Sequence, residues 1–228
     1  MNSKIIEKTT SFCVEIFADK KNYSLPEEYN YSHLPLCVID SVFSIGVKYE
    51  IVKNTINNFC RHNKIDKFSK SDELSTSFFL NLMEQESIKE LTENIYKNRQ
   101  RTSTRSGILK SEAVIKFLKI LQKYEVNKLG DVYKIISSKE FEIDIKEIPG
   151  QKSGISLTYF FMLAGSDDLI KPDRMIIRFL ESISGEIVSL TDCQIILAEV
   201  SKNLQKNGFD ITPKKLDNLI WNYQRDLN

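Results

Sequence analysis

The clearest chemistry in the sequence lies between Ile145 and Phe179, which reads as helix, tight turn, helix, loop, helix. Pro149 and Gly150 stop the first element, and Ser153 or Gly154 opens the next. The second helix therefore begins with backbone N–H groups that find no partner within it. Such an end holds a phosphate, and a glycine-bearing hairpin lets the phosphate approach the main chain because no side chain blocks it. Further on, Pro172 suits the first turn of a helix and sets Asp173 at that helix's N-terminus. The helix dipole favours the ionised carboxyl there. A carboxylate that stays negative near neutral pH suits stabilising a positively charged sugar. By itself, though, an Asp beside a helix-opening Pro reads as a first-turn stabiliser.

A second group is a positive stretch. No acidic residue occurs from Asn94 to Ser111, while Lys97, Arg99, Arg101, Arg105 and Lys110 fall among Asn, Gln, Thr and Ser. A charge run alone reads as a solvated loop; its sharper reading is a loop that contacts phosphates. The net charge of the chain is only +1, so adhesion to polyanions must come from local patches and not from the sum. The four cysteines, Cys13, Cys37, Cys60 and Cys193, show no CxxC spacing, and with two histidines they imply no metal centre. No cofactor is implied. No basic-then-apolar leader and no membrane-length apolar run is present, which gives the expectation of a cytoplasmic protein with no membrane partner.

The elements that must position these groups are helical. Val114, Phe117, Leu118 and Leu121 make one apolar stripe within 111–124, and Leu190, Cys193, Leu197, Val200 and Leu204 make another, ended by Gly208. Thr212 and Pro213 form a cap and first turn for a C-terminal helix that buries Leu216, Leu219, Ile220 and Tyr223. The segment Leu36 to Cys60 predicts two packed helices bent near Gly46. Residues 71–96 read as helical, anchored by Phe78, Phe79, Leu82 and Met83. The alternation Phe141 to Ile145 fits a strand or a short helix. Asp40, inside an apolar helix, must face solvent or meet a partner such as Lys48 or an arginine.

The order and spacing of Ile148-Pro149-Gly150, Ala164-Gly165, Pro172-Asp173-Arg174-Met175 and Arg178 resemble the helix-hairpin-helix DNA glycosylases, endonuclease III among them. Residues 34–56 also look like the early core helix of that family, with its serine-containing bend, and the likeness covers about two thirds of the chain. The resemblance implies an all-α fold of two helical subdomains around a DNA-binding groove. The implied parts are a central core at 30–135, a hairpin and aspartate segment at 136–185, and a second subdomain from 1–29 with 186–228. Three departures stand out. Lys152 replaces the hairpin's second glycine, Gly154 occupies the position of the Schiff-base lysine of bifunctional members, and the loop before Asp173 is one residue longer. No cysteine cluster follows, so the iron–sulfur site is missing.

The resemblance thus implies a monofunctional enzyme acting as a monomer on double-stranded DNA with a damaged or modified base. It would flip the nucleotide and leave an abasic site. Asp173 would stabilise the sugar cation and orient or deprotonate the attacking water. Pro149, Gly150, Gln151, Lys152, Ser153, Gly154, Arg99, Arg101, Arg105, Lys171 and Arg174 would bind DNA; Ser44, Lys48, Tyr49, Tyr159 and Trp221 would form the base pocket. Lys152 is a conceivable substitute amine. By residue type alone, Tyr159 and its aromatic neighbours also serve as core, and Phe43 reads as core. Two rival readings remain: a catalytically silent DNA-binding module with the same hairpin, and a helical scaffold whose arginine-rich loop meets an acidic protein.

Overall fold

The computed structural model describes residues 2–69 and 72–227. Ser71, where the 71–96 helical expectation begins, lies outside them, as do Met1 and Asn228. Helices dominate, and the one β-type contact among the described residues is an isolated bridge between Arg101 and Leu109. No helix in these residues is long and apolar enough to cross a membrane.

Helix α1 spans Asn2–Ile16. Pro35 sits in the first turn of α2 (Leu34–Phe43), and all ten of its side chains are buried. Gly46, with φ of +67°, turns the chain between α2 and α3 (Tyr49–Asn63), where the sequence predicts the bend. Ser75 caps α4 (Thr76–Glu84), and Ser87 caps a short α5 (Ile88–Glu90) that runs into a wide π-type turn, Leu91–Ile95. The buried face of α4 is Thr76, Phe79, Leu80 and Met83. Phe78, expected as an anchor, is 42% exposed, because it stands off that face.

Next come α6 (Lys110–Lys123), α7 (Lys139–Glu147) and α8 (Ile155–Leu163). The ambiguous alternation resolves as helix α7: Phe141 and Ile145, four apart, are buried while Ile143 is 59% exposed. A strand would have buried all three on one face. The chain closes with α9 (Arg174–Ser184), α10 (Leu190–Lys206) and α11 (Pro213–Asp226). Thr212 caps α11 and Pro213 fills its first turn, as the sequence predicts.

The chain divides into two compact units, one made of Met1–Pro26 with Ser166–Asn228 and one of Glu27–Gly165. In the split unit, α1 packs on α9 and α10, and α11 packs on both of the latter. Its core holds Cys13, Phe17, Ile176, Phe179, Leu197, Val200, Leu216 and Ile220. In the middle unit α2 is the axis, touching α3, α4, α6 and α8. Around it runs an aromatic stack in which Tyr96 lies 5.0 Å from Phe43 and 5.1 Å from Phe59 by ring centroid. Each of those three side chains is fully buried. The unit boundary at Gly165 falls inside the 136–185 segment, so the hairpin belongs to the middle unit and Asp173 to the split unit.

Candidate functional site

In the middle unit, α7 and α8 are joined by the turn Ile148 to Gly154. Its main chain is fixed from within: Gln151 N–H donates to Ile148 carbonyl and Gly154 N–H to Gln151 carbonyl, both at 2.9 Å. Gly150 has φ of +91°, and a Cβ there would come within 2.6 Å of Thr102 Oγ1. Glycine is therefore required both for the backbone angle and for the approach of the 99–106 loop. Gly154, at φ +74°, is the N-cap of α8. Pro149, Gly150, Lys152 and Ser153 are exposed, whereas Gln151 is buried, accepting the Ser156 hydroxyl with its side-chain oxygen. The buried Gln151 Nε2 has no partner among the described residues.

The room beside Gly154, where a side chain would begin, holds Lys146, whose Cε stands 3.1 Å and Nζ 3.7 Å from the would-be Cβ. Lys146 is itself bonded to Glu142 one turn earlier. Lys152, two residues before Gly154 in the same turn, is exposed.

The basic loop lies next to this hairpin through Thr102. Arg99, Arg101 and Arg105 are all exposed. Arg99 pairs with Glu93 at 3.2 Å, and Arg101 Nε donates to Gly107 carbonyl at 2.9 Å, closing the loop. Lys110, part of the same positive stretch, points inward. Its ammonium donates to Phe43 carbonyl at 2.9 Å, Ile45 carbonyl at 2.8 Å and Gln100 Oε1 at 3.1 Å. It thereby ties the end of α2 to the root of the loop, and burial lowers its pKa to about 8.

Three of the five base-pocket candidates converge. Asp40 is fully buried in α2 and accepts hydrogen bonds from Tyr31 and Tyr49 at Oδ2 and from Ser44 at Oδ1, each 2.9 Å. Hydroxyls, not Lys48, meet this carboxylate; Lys48 is exposed at the N-cap of α3. Tyr159, buried in α8, bonds to Tyr49 and stands with its ring edge-on to Tyr29 at 6.3 Å. Burial and the Asp40 charge push the Tyr31 and Tyr49 phenols far above their ordinary range. Trp221 belongs to the split unit, where it is half-buried with the Arg225 guanidinium 5.3 Å over its ring.

In the split unit, Asp173 is the N-cap of α9, half-buried, with Oδ1 accepting Met175 N–H at 2.8 Å and Ile176 N–H at 3.3 Å. The loop before it is held by Asp217, a buried α11 carboxyl that accepts Lys171 N–H at 2.8 Å. Burial, and after it the charge of Asp173, raises the Asp217 pKa well above the ordinary carboxyl range. Lys214, one turn before Asp217 and also buried, pairs with Asp167 at 2.6 Å. Lys171 is half-buried, and Arg174 and Arg178 are exposed. Sequence reasoning missed Asp217 and Lys214. The one signal was their place on the face of α11 that carries Trp221, at i, i+3 and i+7.

A family model described as a domain of unknown function (DUF8548) matches residues 7–225. No curated protein and no solved structure matches the chain.

Proposed function

This chain belongs to the DUF8548 family, and we propose that it is a monofunctional DNA glycosylase that excises a damaged or modified base and leaves an abasic site. The observation that carries the reading is the glycine-held hairpin with an exposed arginine-bearing loop packed on it at Thr102. Main-chain groups at a helix start, together with Lys152, Arg99, Arg101 and Arg105, suit a run of strand phosphates. Asp173 supplies the charge for the chemistry. Both backbone bonds go to its Oδ1, so Oδ2 is the oxygen left to face a sugar.

As the glycosidic bond breaks, electrons pass to the departing base and the sugar becomes oxocarbenium-like. Asp173 stabilises that cation and takes a proton from the attacking water. Position 154 is a glycine, and Lys146 in the space beside it is bonded to Glu142. Water, not an amine at that position, then completes the reaction.

A second reading is favoured by one specific feature: the two bonds at Asp173 are those of an ordinary helix cap. On that reading the hairpin binds DNA and no chemistry follows. The deciding experiment incubates wild type and Asp173→Asn with duplexes bearing a panel of damaged and modified bases, followed by alkaline cleavage. Asparagine caps a helix as well as aspartate does, so the variant removes charge and keeps the fold. Abasic product from wild type alone, with DNA binding in both proteins, supports the glycosylase; binding without product from either supports the silent module.

A further inference from the structure

The chain that leads into Asp173 is fastened more closely than a helix cap requires. A capping Asp is satisfied by its own bonds to the first turn, and the residues before it can run as an ordinary surface loop. Here polar side chains of α10 and α11 hold that loop at Asp167, Ile170 and Lys171. Lys214 on α11 pairs with the Asp167 carboxylate at 2.6 Å, and its N–H donates to the Asp167 carbonyl at 3.1 Å. Gln194 on α10 takes both main-chain groups of Ile170: its Oε1 accepts the N–H at 3.1 Å, and its Nε2 donates to the carbonyl at 2.6 Å. Asp217 accepts the Lys171 N–H, and the Lys171 carbonyl in turn accepts the Asp173 N–H at 2.7 Å. That last bond closes a three-residue turn around the buried Pro172, whose ring fixes its φ. Every main-chain N–H from Ile170 to Asp173 therefore has a partner, and the Ile170 side chain is buried in the core of the split unit.

We propose that Gln194 and Asp217 are positioning residues for Asp173, fixing the direction in which its carboxylate leaves the chain. That this direction serves a sugar cation rests on the glycosylase reading; the fastening itself rests on the bonds to Ile170 and Lys171. Neither residue is asked to touch a substrate, and the effect of each passes through the main chain of residues 170–173. A charge that stabilises a reacting centre works only where it is held in place, and a displacement of about 1 Å costs on the order of 10²-fold in rate.

Three variants of the whole protein test this. Gln194→Ala deletes both bonds to Ile170, Asp217→Leu deletes the acceptor of the Lys171 N–H, and Asp217→Asn restores that acceptor. Single-turnover excision with saturating protein is measured beside DNA affinity, on the duplex that yields abasic product with wild type. Gln194→Ala and Asp217→Leu should each slow excision at least about tenfold, with the dissociation constant within about twofold of wild type. Asp217→Asn should recover most of that loss. Should Asp217→Leu fail to fold, Gln194→Ala carries the comparison, because Gln194 is only half-buried. Unchanged excision in Gln194→Ala, a loss matched by weaker DNA binding, or Asp217→Asn as slow as Asp217→Leu each overturn the proposal while leaving the glycosylase reading intact.

If wild type yields no abasic product, the glycosylase reading falls and amide hydrogen exchange decides the positioning role. The Met175 N–H donates to Asp173 Oδ1, so it reports how firmly that carboxylate is held. In Gln194→Ala it should exchange at least about tenfold faster while the core amides of α10 keep their rates. An unaltered Met175 rate removes the positioning role.

Discussion

The Asp217 carboxyl accepts the Lys171 N–H at 2.8 Å, so a buried acid on the last helix holds the strand of chain that leads into Asp173. Because burial and the neighbouring Asp173 raise its pKa, the folded protein binds this proton more tightly than the unfolded chain does. Stability from this group is therefore full below the ordinary carboxyl value of 3.8 and declines as pH rises from there to the folded pKa. Asp217→Asn keeps an acceptor for Lys171 and removes the ionisation. The melting temperature of the variant should gain on wild type as pH rises above the ordinary carboxyl value of 3.8. A constant difference across that range would refute the assignment.

Lys110 carries the opposite sign. Its folded pKa of about 8 lies below the 10.5 of the free side chain, so between those values the unfolded state holds more protons and this group's contribution to stability rises with pH. Lys110→Met removes that slope and leaves the carbonyls of Phe43 and Ile45 without their donor. We expect a loss of about 2–6 kcal/mol in urea unfolding at pH 7, at roughly 1–3 kcal/mol for each of the two stranded carbonyls. The loss should widen between pH 8 and 10.5.

Gly150→Ala forces a side chain into Thr102 and onto a φ of +91°. A loss of about 2–4 kcal/mol is expected by chemical denaturation, from backbone strain and overpacking together. Gly130→Ala is the control, since a Cβ there meets nothing within 4 Å; its melting curve should stay within about 0.5 kcal/mol of wild type.

On the proposed reading, Arg105→Ala and Lys152→Ala each remove one phosphate contact from an exposed position. Each should lower the slope of log affinity against log salt by about 0.9 without shifting the melting temperature. Arg101→Ala should do both, because Arg101 also bonds the Gly107 carbonyl that closes the loop. Fluorescence anisotropy on one duplex at several salt concentrations measures all three.

Asp173→Ala should cost about 1 kcal/mol as a lost cap, while Asp173→Asn costs little. Both should abolish abasic product, and equal activity in wild type and Asp173→Asn would sink the catalytic role.

Much of the helical framework was legible because periodicity records burial directly. The stripe of α6 is buried throughout, and those of α10 and α11 are buried except at their ends, where Leu190 is 42% exposed and Tyr223 half-buried; the cap at Thr212 with Pro213 stands where the sequence places it. The hairpin turn was equally plain, since Gly150 and Gly154 adopt positive φ that other residues avoid. Less was legible where contacts join distant segments. Asp40 announced itself as a charge in an apolar helix, but its partners Tyr31 and Tyr49 lie nine residues away on either side, beyond helical neighbour spacing. Asp217 looked like any polar residue on an amphipathic helix; only the fold brings Lys171 over it. Lys110 counted toward a positive patch and instead turned inward, because a long side chain at the root of a loop can reach carbonyls far along the sequence.

The division of the chain has a consequence for its synthesis. Helix α1 packs against α9 and α10, yet residues 27–165 come off the ribosome between them. At about 5–20 residues per second, the amphipathic α1 waits on the order of ten seconds for the helices that will cover it, while the middle unit has every residue it needs to fold first. Helix α1 is thus left without the helices that cover it until α9 and α10 emerge, and the split unit closes only when α11 has followed them.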